Sequence, residues 1–114
     1  MKFRRLRVKC DQPTAAEKRW RETVREMGSV LSGLKPCEVH HCAGRTARHN
    51  KIDIGHWFVI PLTTYEHSRI AEWGRSRKDY EKALFRAMCR IYTKRGGVLP
   101  FGADVLEAIA DYHK

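Results

Sequence analysis

The chain has 114 residues, with 23 Lys or Arg against 13 Asp or Glu, and so a formal charge of +10. That length suits one domain with a modest core, and no apolar run reaches the roughly 18 residues that a membrane span needs. The positive excess points to polyanionic partners, with nucleic acid first and an anionic membrane surface second.

Residues 1–10 alternate Phe3, Leu6 and Val8 with Arg4, Arg5, Arg7 and Lys9. The pattern fits an edge strand or a basic arm over 1–13. It lacks the apolar stretch of a secretory signal, so a cytoplasmic protein is expected. The four cysteines (Cys10, Cys37, Cys42, Cys89) are scattered, and without a secretion signal they are expected as free thiols. Cys37-x-x-His40, with Cys42 beyond it, could contribute to a structural zinc site. No second Cys-x-x-Cys completes the four ligands that such a site takes.

After the break at Asp11-Gln12-Pro13, Thr14-Ala15-Ala16-Glu17 fits a capping box. Trp20, Val24 and Met27 follow at helical spacing and Gly28 stands where a helix would stop, which predicts a helix over 14–28. Its Lys18, Arg19, Arg21 and Arg25 alternate with Glu22 and Glu26 and read as ordinary surface charges. Over 37–73 the spacing predicts two strands and a helix. One strand lies around Val39, the second covers Trp57–Leu62, and the helix begins within Thr63–Trp73. Between the strands, residues 44–50 read as a polar, cationic loop rather than a third element. Arg45, Arg48 and Lys51 there are candidates for gripping backbone phosphates.

Over 78–114 two further helices are predicted. Tyr80, Leu84, Met88 and Ile91 recur at helical spacing, with Phe85 and Cys89 widening the stripe, until Gly96-Gly97. Arg86, Arg90, Lys94 and Arg95 gather toward the end of this helix, where cations complement its dipole. Pro100-Phe101-Gly102 introduces the last helix, with Val105, Leu106 and Ile109 inward. Both are expected to support the site without taking part in chemistry.

Five of the six histidines fall in the central stretch: His40, His41, His49, His56 and His67. Cleaving a phosphodiester calls for a proton acceptor and for stabilisation of phosphoryl and leaving-group charge. An unligated imidazole can serve as the first, and a divalent cation held by others as the second. Adjacent strand residues face opposite ways, so one of His40 and His41 is expected as ligand and the other as base. His67, at a helix start across the strand pair, is placed to be the opposing ligand.

The run Cys37-Glu38-Val39-His40-His41, the basic loop, Gly55-His56-Trp57-Phe58-Val59-Ile60-Pro61-Leu62 and Glu66-His67 resemble the HNH (ββα-metal) nucleases. Within them the chain is most similar to phage Ref-like, RecA-dependent nucleases and related small prophage proteins. The likeness spans about residues 14–75. It implies an α+β fold in which a ββα-metal hairpin and helix are wrapped by three further helices. It also implies His41 as general base and His40 and His67 as ligands of one divalent ion (Mg²⁺, Mn²⁺ or Zn²⁺), with His56 completing the site. DNA is the implied substrate, phage or prophage the implied origin, and recombination on RecA-coated single strands a role it suggests. Two positions depart from the pattern. Thr63 and Glu66-His67 stand where relatives carry Cys and a His pair, and the asparagine of the HNH name, which by spacing falls near Phe58, has no counterpart. His49 and His113 match nothing and are expected at the surface. The rival expectation is a non-catalytic nucleic-acid-binding module with structural zinc on His40, His67 and Cys37 or Cys42. A third is a basic interaction protein of a phage replication or recombination complex.

Overall fold

The computed structural model describes residues 12–113. The basic opening, with its choice between edge strand and arm, and Cys10 lie outside them. Helix α1 (Ala15–Glu26) starts as its sequence predicts. The Glu17 amide donates to Thr14 Oγ1 at 3.1 Å and the Thr14 amide donates back to the Glu17 carboxylate at 2.8 Å. Trp20 and Val24 are its buried face. Past its end, Gly28 takes φ +89°, and a Cβ there would lie 2.9 Å from the Gly33 carbonyl oxygen. Only glycine makes that reversal without strain.

Strands β1 (Glu38–His41) and β4 (Val59–Leu62) form an antiparallel pair with His40 opposite Ile60 and His41 opposite Val59. The second strand thus begins two residues later than its sequence suggests, because Trp57 belongs to the preceding turn. The stretch between them is more ordered than a plain loop. Arg48–His49 (β2) and Ile52–Asp53 (β3) pair into a small hairpin of their own. Its turn residues Asn50 and Lys51 have φ of 51° and 67°, as a tight hairpin turn needs. Lys51 conceals this from a sequence reading, since the usual residue there is glycine.

Thr63 caps α2 (Thr64–Ser68) with a second capping box, closed by Glu66. A 3₁₀ segment, Ile70–Ser76, bends at Gly74 and leads into α3 (Arg77–Lys94), and α4 (Ala103–Asp111) follows. On α3 the buried face is turned by about one residue from the expected stripe. Glu81, Phe85, Met88 and Cys89 point inward, whereas Tyr80 and Ile91 are exposed. The reason lies in β4. All four of its residues are buried, both α1 and α3 pack on it, and Phe58 and Phe85 meet edge to face at 5.3 Å. Trp20 joins the same core against Phe101 at 5.3 Å and satisfies its indole N–H on the Trp57 carbonyl at 3.1 Å. The result is an α+β chain with two small antiparallel sheets among helices. Among the described residues no helix is long and apolar enough to cross a membrane.

Candidate metal centre

Strand β1 runs directly against α2, and this juxtaposition places the histidines. His40 and His67 meet with ring centroids 5.1 Å apart. Each holds a carboxylate on one ring nitrogen. His40 Nε2 lies 2.6 Å from Glu81 of α3, and His67 Nδ1 lies 2.7 Å from Glu38 of β1. Thr64 also donates to Glu38, at 2.9 Å. The hydrogen bond from His67, then that from Thr64, holds the Glu38 carboxyl below its ordinary range.

Glu81 has no exposed surface, and His40 is 6 % exposed. Burial pushes the Glu81 carboxyl up, but hydrogen bonds from His40 and Lys78 outweigh it, so the group stays ionised. Around it stand the Lys78 ammonium at 3.1 Å and the Arg77 guanidinium at 3.3 Å. Lys78 also donates to the Cys42 carbonyl. The support that α3 gives the site is direct, because it delivers a buried anion to the first histidine of the pair. The signal was present in the sequence. Glu81 precedes Phe85, Met88 and Cys89 at helical spacing, and a carboxylate on a buried stripe requires partners.

The other face of β1 is different. His41 is half-buried and meets His56 edge to face at 5.5 Å. Its Nε2 is buried with no hydrogen-bond partner. Burial first, then the charges of His56, Arg45, Arg21 and His40, bring its pKa down to about 4, so the ring is neutral near pH 7. Gly55 makes the approach of this loop possible, because a Cβ there would sit 2.1 Å from the Arg45 carbonyl oxygen. Arg21, read from sequence as a surface charge, is half-buried, with its Nε enclosed and unpartnered.

The structure thus brings His40 to His67 and His41 to His56. Arg45 stands on the second pair's loop. Arg48 and Lys51 lie farther along, on the β2–β3 hairpin, where Arg48 is paired with Asp53 at 2.8 Å and donates to the Lys51 carbonyl at 2.9 Å. His113 is exposed and His49 half-buried. Comparison with family models, with curated proteins and with solved structures returns no match.

Among the described residues, one group of three donors has the spacing of a metal site. The buried group of His40, Cys42 and Glu81, with ligand atoms within 4.8 Å of one another, could bind a metal ion. Its thiol is costly to ionise, because burial and then the nearby Glu81 push the Cys42 pKa well up, and a thiol must lose its proton to ligate. The pair of His40 and His67 involves no thiol. Each ring has a carboxylate behind it, the arrangement typical of metal-binding histidines. Cys37, Cys42 and Cys89 are buried free thiols.

Proposed function

We propose that the chain is a metal-dependent DNA endonuclease of the ββα-metal type, with β1, β4 and α2 as its hairpin and helix. One observation carries the reading. Adjacent histidines on β1 are segregated, with His40 paired to His67 between two carboxylates and His41 left on the opposite face with an orphaned ring nitrogen. That segregation supports a division of labour between ligand and base, which phosphodiester hydrolysis can use.

In this reading His40 and His67 hold one divalent ion, Mg²⁺, Mn²⁺ or Zn²⁺. When bound, such an ion stabilises charge on the phosphoryl oxygens and the leaving alkoxide. His41 is the general base. It is neutral at neutral pH, and a phosphodiester anion brought beside it raises its affinity for the water proton. His56 packs against His41, so in this reading it holds the base in position rather than completing the metal site as the resemblance implies. Arg45 contributes positive charge beside the base. Arg48 and Lys51 reach flanking phosphates, Arg48 by exchanging Asp53 for phosphate. The formal charge of +10 supports a polyanionic substrate. A phage or prophage origin, a cytoplasmic site of action, and recombination on RecA-coated single strands belong to the same proposal through the sequence resemblance.

A second reading has its own observation. The buried His40, Cys42 and Glu81 group could close a structural site in a nucleic-acid-binding module without catalysis. Nicking of supercoiled plasmid and cleavage of single-stranded DNA by EDTA-stripped protein, with each metal added back, decides between them. Cleavage that appears only with metal is the expected result. No cleavage with any of the three ions, even on RecA filaments, together with salt-sensitive DNA binding, supports the binding module instead.

A further inference from the structure

Helix α3 lies outside the hairpin and helix that carry the histidines, yet it supplies the group closest to one of them. We infer that Glu81 is a positioning residue that fixes the tautomer of His40 and selects Nδ1 as its metal-binding nitrogen, while Glu38 selects Nε2 of His67. The inference rests on the metal-site reading above and adds which atoms serve and what orients them.

Glu81 is an acceptor only, so the His40 nitrogen 2.6 Å from it must carry the hydrogen. A neutral imidazole has one N–H, which leaves the lone pair on Nδ1. The same reasoning at His67, whose Nδ1 is 2.7 Å from Glu38, leaves the lone pair on Nε2. Glu81 could instead ligate a metal directly with Cys42, since their atoms are close enough. Its surroundings oppose that. Glu81 Oε1 is buried without a hydrogen-bond partner, but the Lys78 ammonium 3.1 Å from it and the Arg77 guanidinium 3.3 Å from Oε2 already neutralise the carboxylate. A dication there would face both cations at short range in a buried setting, where repulsion is poorly screened. Lys78 and Arg77 therefore hold Glu81 as an anion and aim it, and Glu81 in turn aims His40. The two carboxylates also come from different elements, Glu38 from β1 and Glu81 from α3. The site is thus braced from within the hairpin and from the helix packed against it.

The test combines two measurements on the full chain. Long-range proton–nitrogen correlation of the histidine rings in metal-free protein reports each tautomer directly and needs no variant. The expected result is Nε2–H for His40 and Nδ1–H for His67. Co²⁺ is then titrated into wild type, Glu81→Gln and Cys42→Ala, with circular dichroism checking the fold. Glu81→Gln is expected to weaken Co²⁺ by about 10–100-fold. Cys42→Ala should bind as wild type does, with no thiolate charge-transfer band in either. An Nδ1–H tautomer at His40, or a thiolate band lost in Cys42→Ala, overturns the inference in favour of direct ligation by Cys42 and Glu81. Wild type that binds no Co²⁺ overturns both this inference and the nuclease reading. Co²⁺ bound as expected without cleavage of DNA overturns the nuclease reading alone.

Discussion

On β1, His40 turns toward a fully buried carboxylate gripped by Lys78 and Arg77, whereas His41, one residue on, turns toward His56 and the positive charge of Arg45 and Arg21. The pleat alone separates them, since successive strand residues face opposite sides. The surroundings then make them chemically unlike. One imidazole is anchored, with a defined hydrogen on one nitrogen. The other has no carboxylate reaching its Nε2 and is kept neutral by burial and by cations. In the proposed reading this lets a short strand hold a ligand and a base side by side without the two competing for the same ion.

The contrast can be broken most forcefully at Glu81. Glu81→Ala strands Lys78 and removes the His40 anchor, and a buried pair broken on one side costs about 3 kcal/mol. Urea unfolding should show that loss as a lower midpoint with an unchanged slope. Thr63→Ala removes the cap of α2, the helix that carries His67. It should cost about 1 kcal/mol in the same assay. Glu38→Ala tests the exposed counterpart of Glu81. Because Glu38 and His67 are both substantially solvated, the urea midpoint should move far less than in Glu81→Ala. If Glu38→Ala destabilised the fold as much as Glu81→Ala, burial would not be what distinguishes the two carboxylates.

Much of this arrangement was legible in the chain because it is local. The Thr14–Glu17 capping box, the α1 core face, the glycine stop and the hairpin–helix order follow from spacing within a few residues. So did the opposite facing of His40 and His41. The missing parts are long-range or disguised. Glu81 meets His40 across 41 positions, and no short window records that meeting. The buried face of α3 is turned from the expected stripe because Tyr80 and Ile91 are apolar enough to mimic core, whereas the inward Glu81, spaced with Phe85, is charged. The β2–β3 hairpin was hidden by Lys51 in a backbone conformation that usually signals glycine. Arg21 resembled its charged neighbours on α1, and only packing against the strands encloses its Nε.

In the proposed mechanism His40 and His41 do different work. Calorimetric titration of Mn²⁺ or Zn²⁺ into wild type, His40→Ala and His41→Ala, with plasmid nicking on the same preparations, tests it directly. The expected result is that His40→Ala loses both metal binding and cleavage. His41→Ala should bind metal as wild type does and cleave about 100-fold more slowly or worse. Wild-type metal binding by His40→Ala, or wild-type cleavage by His41→Ala, would contradict the account.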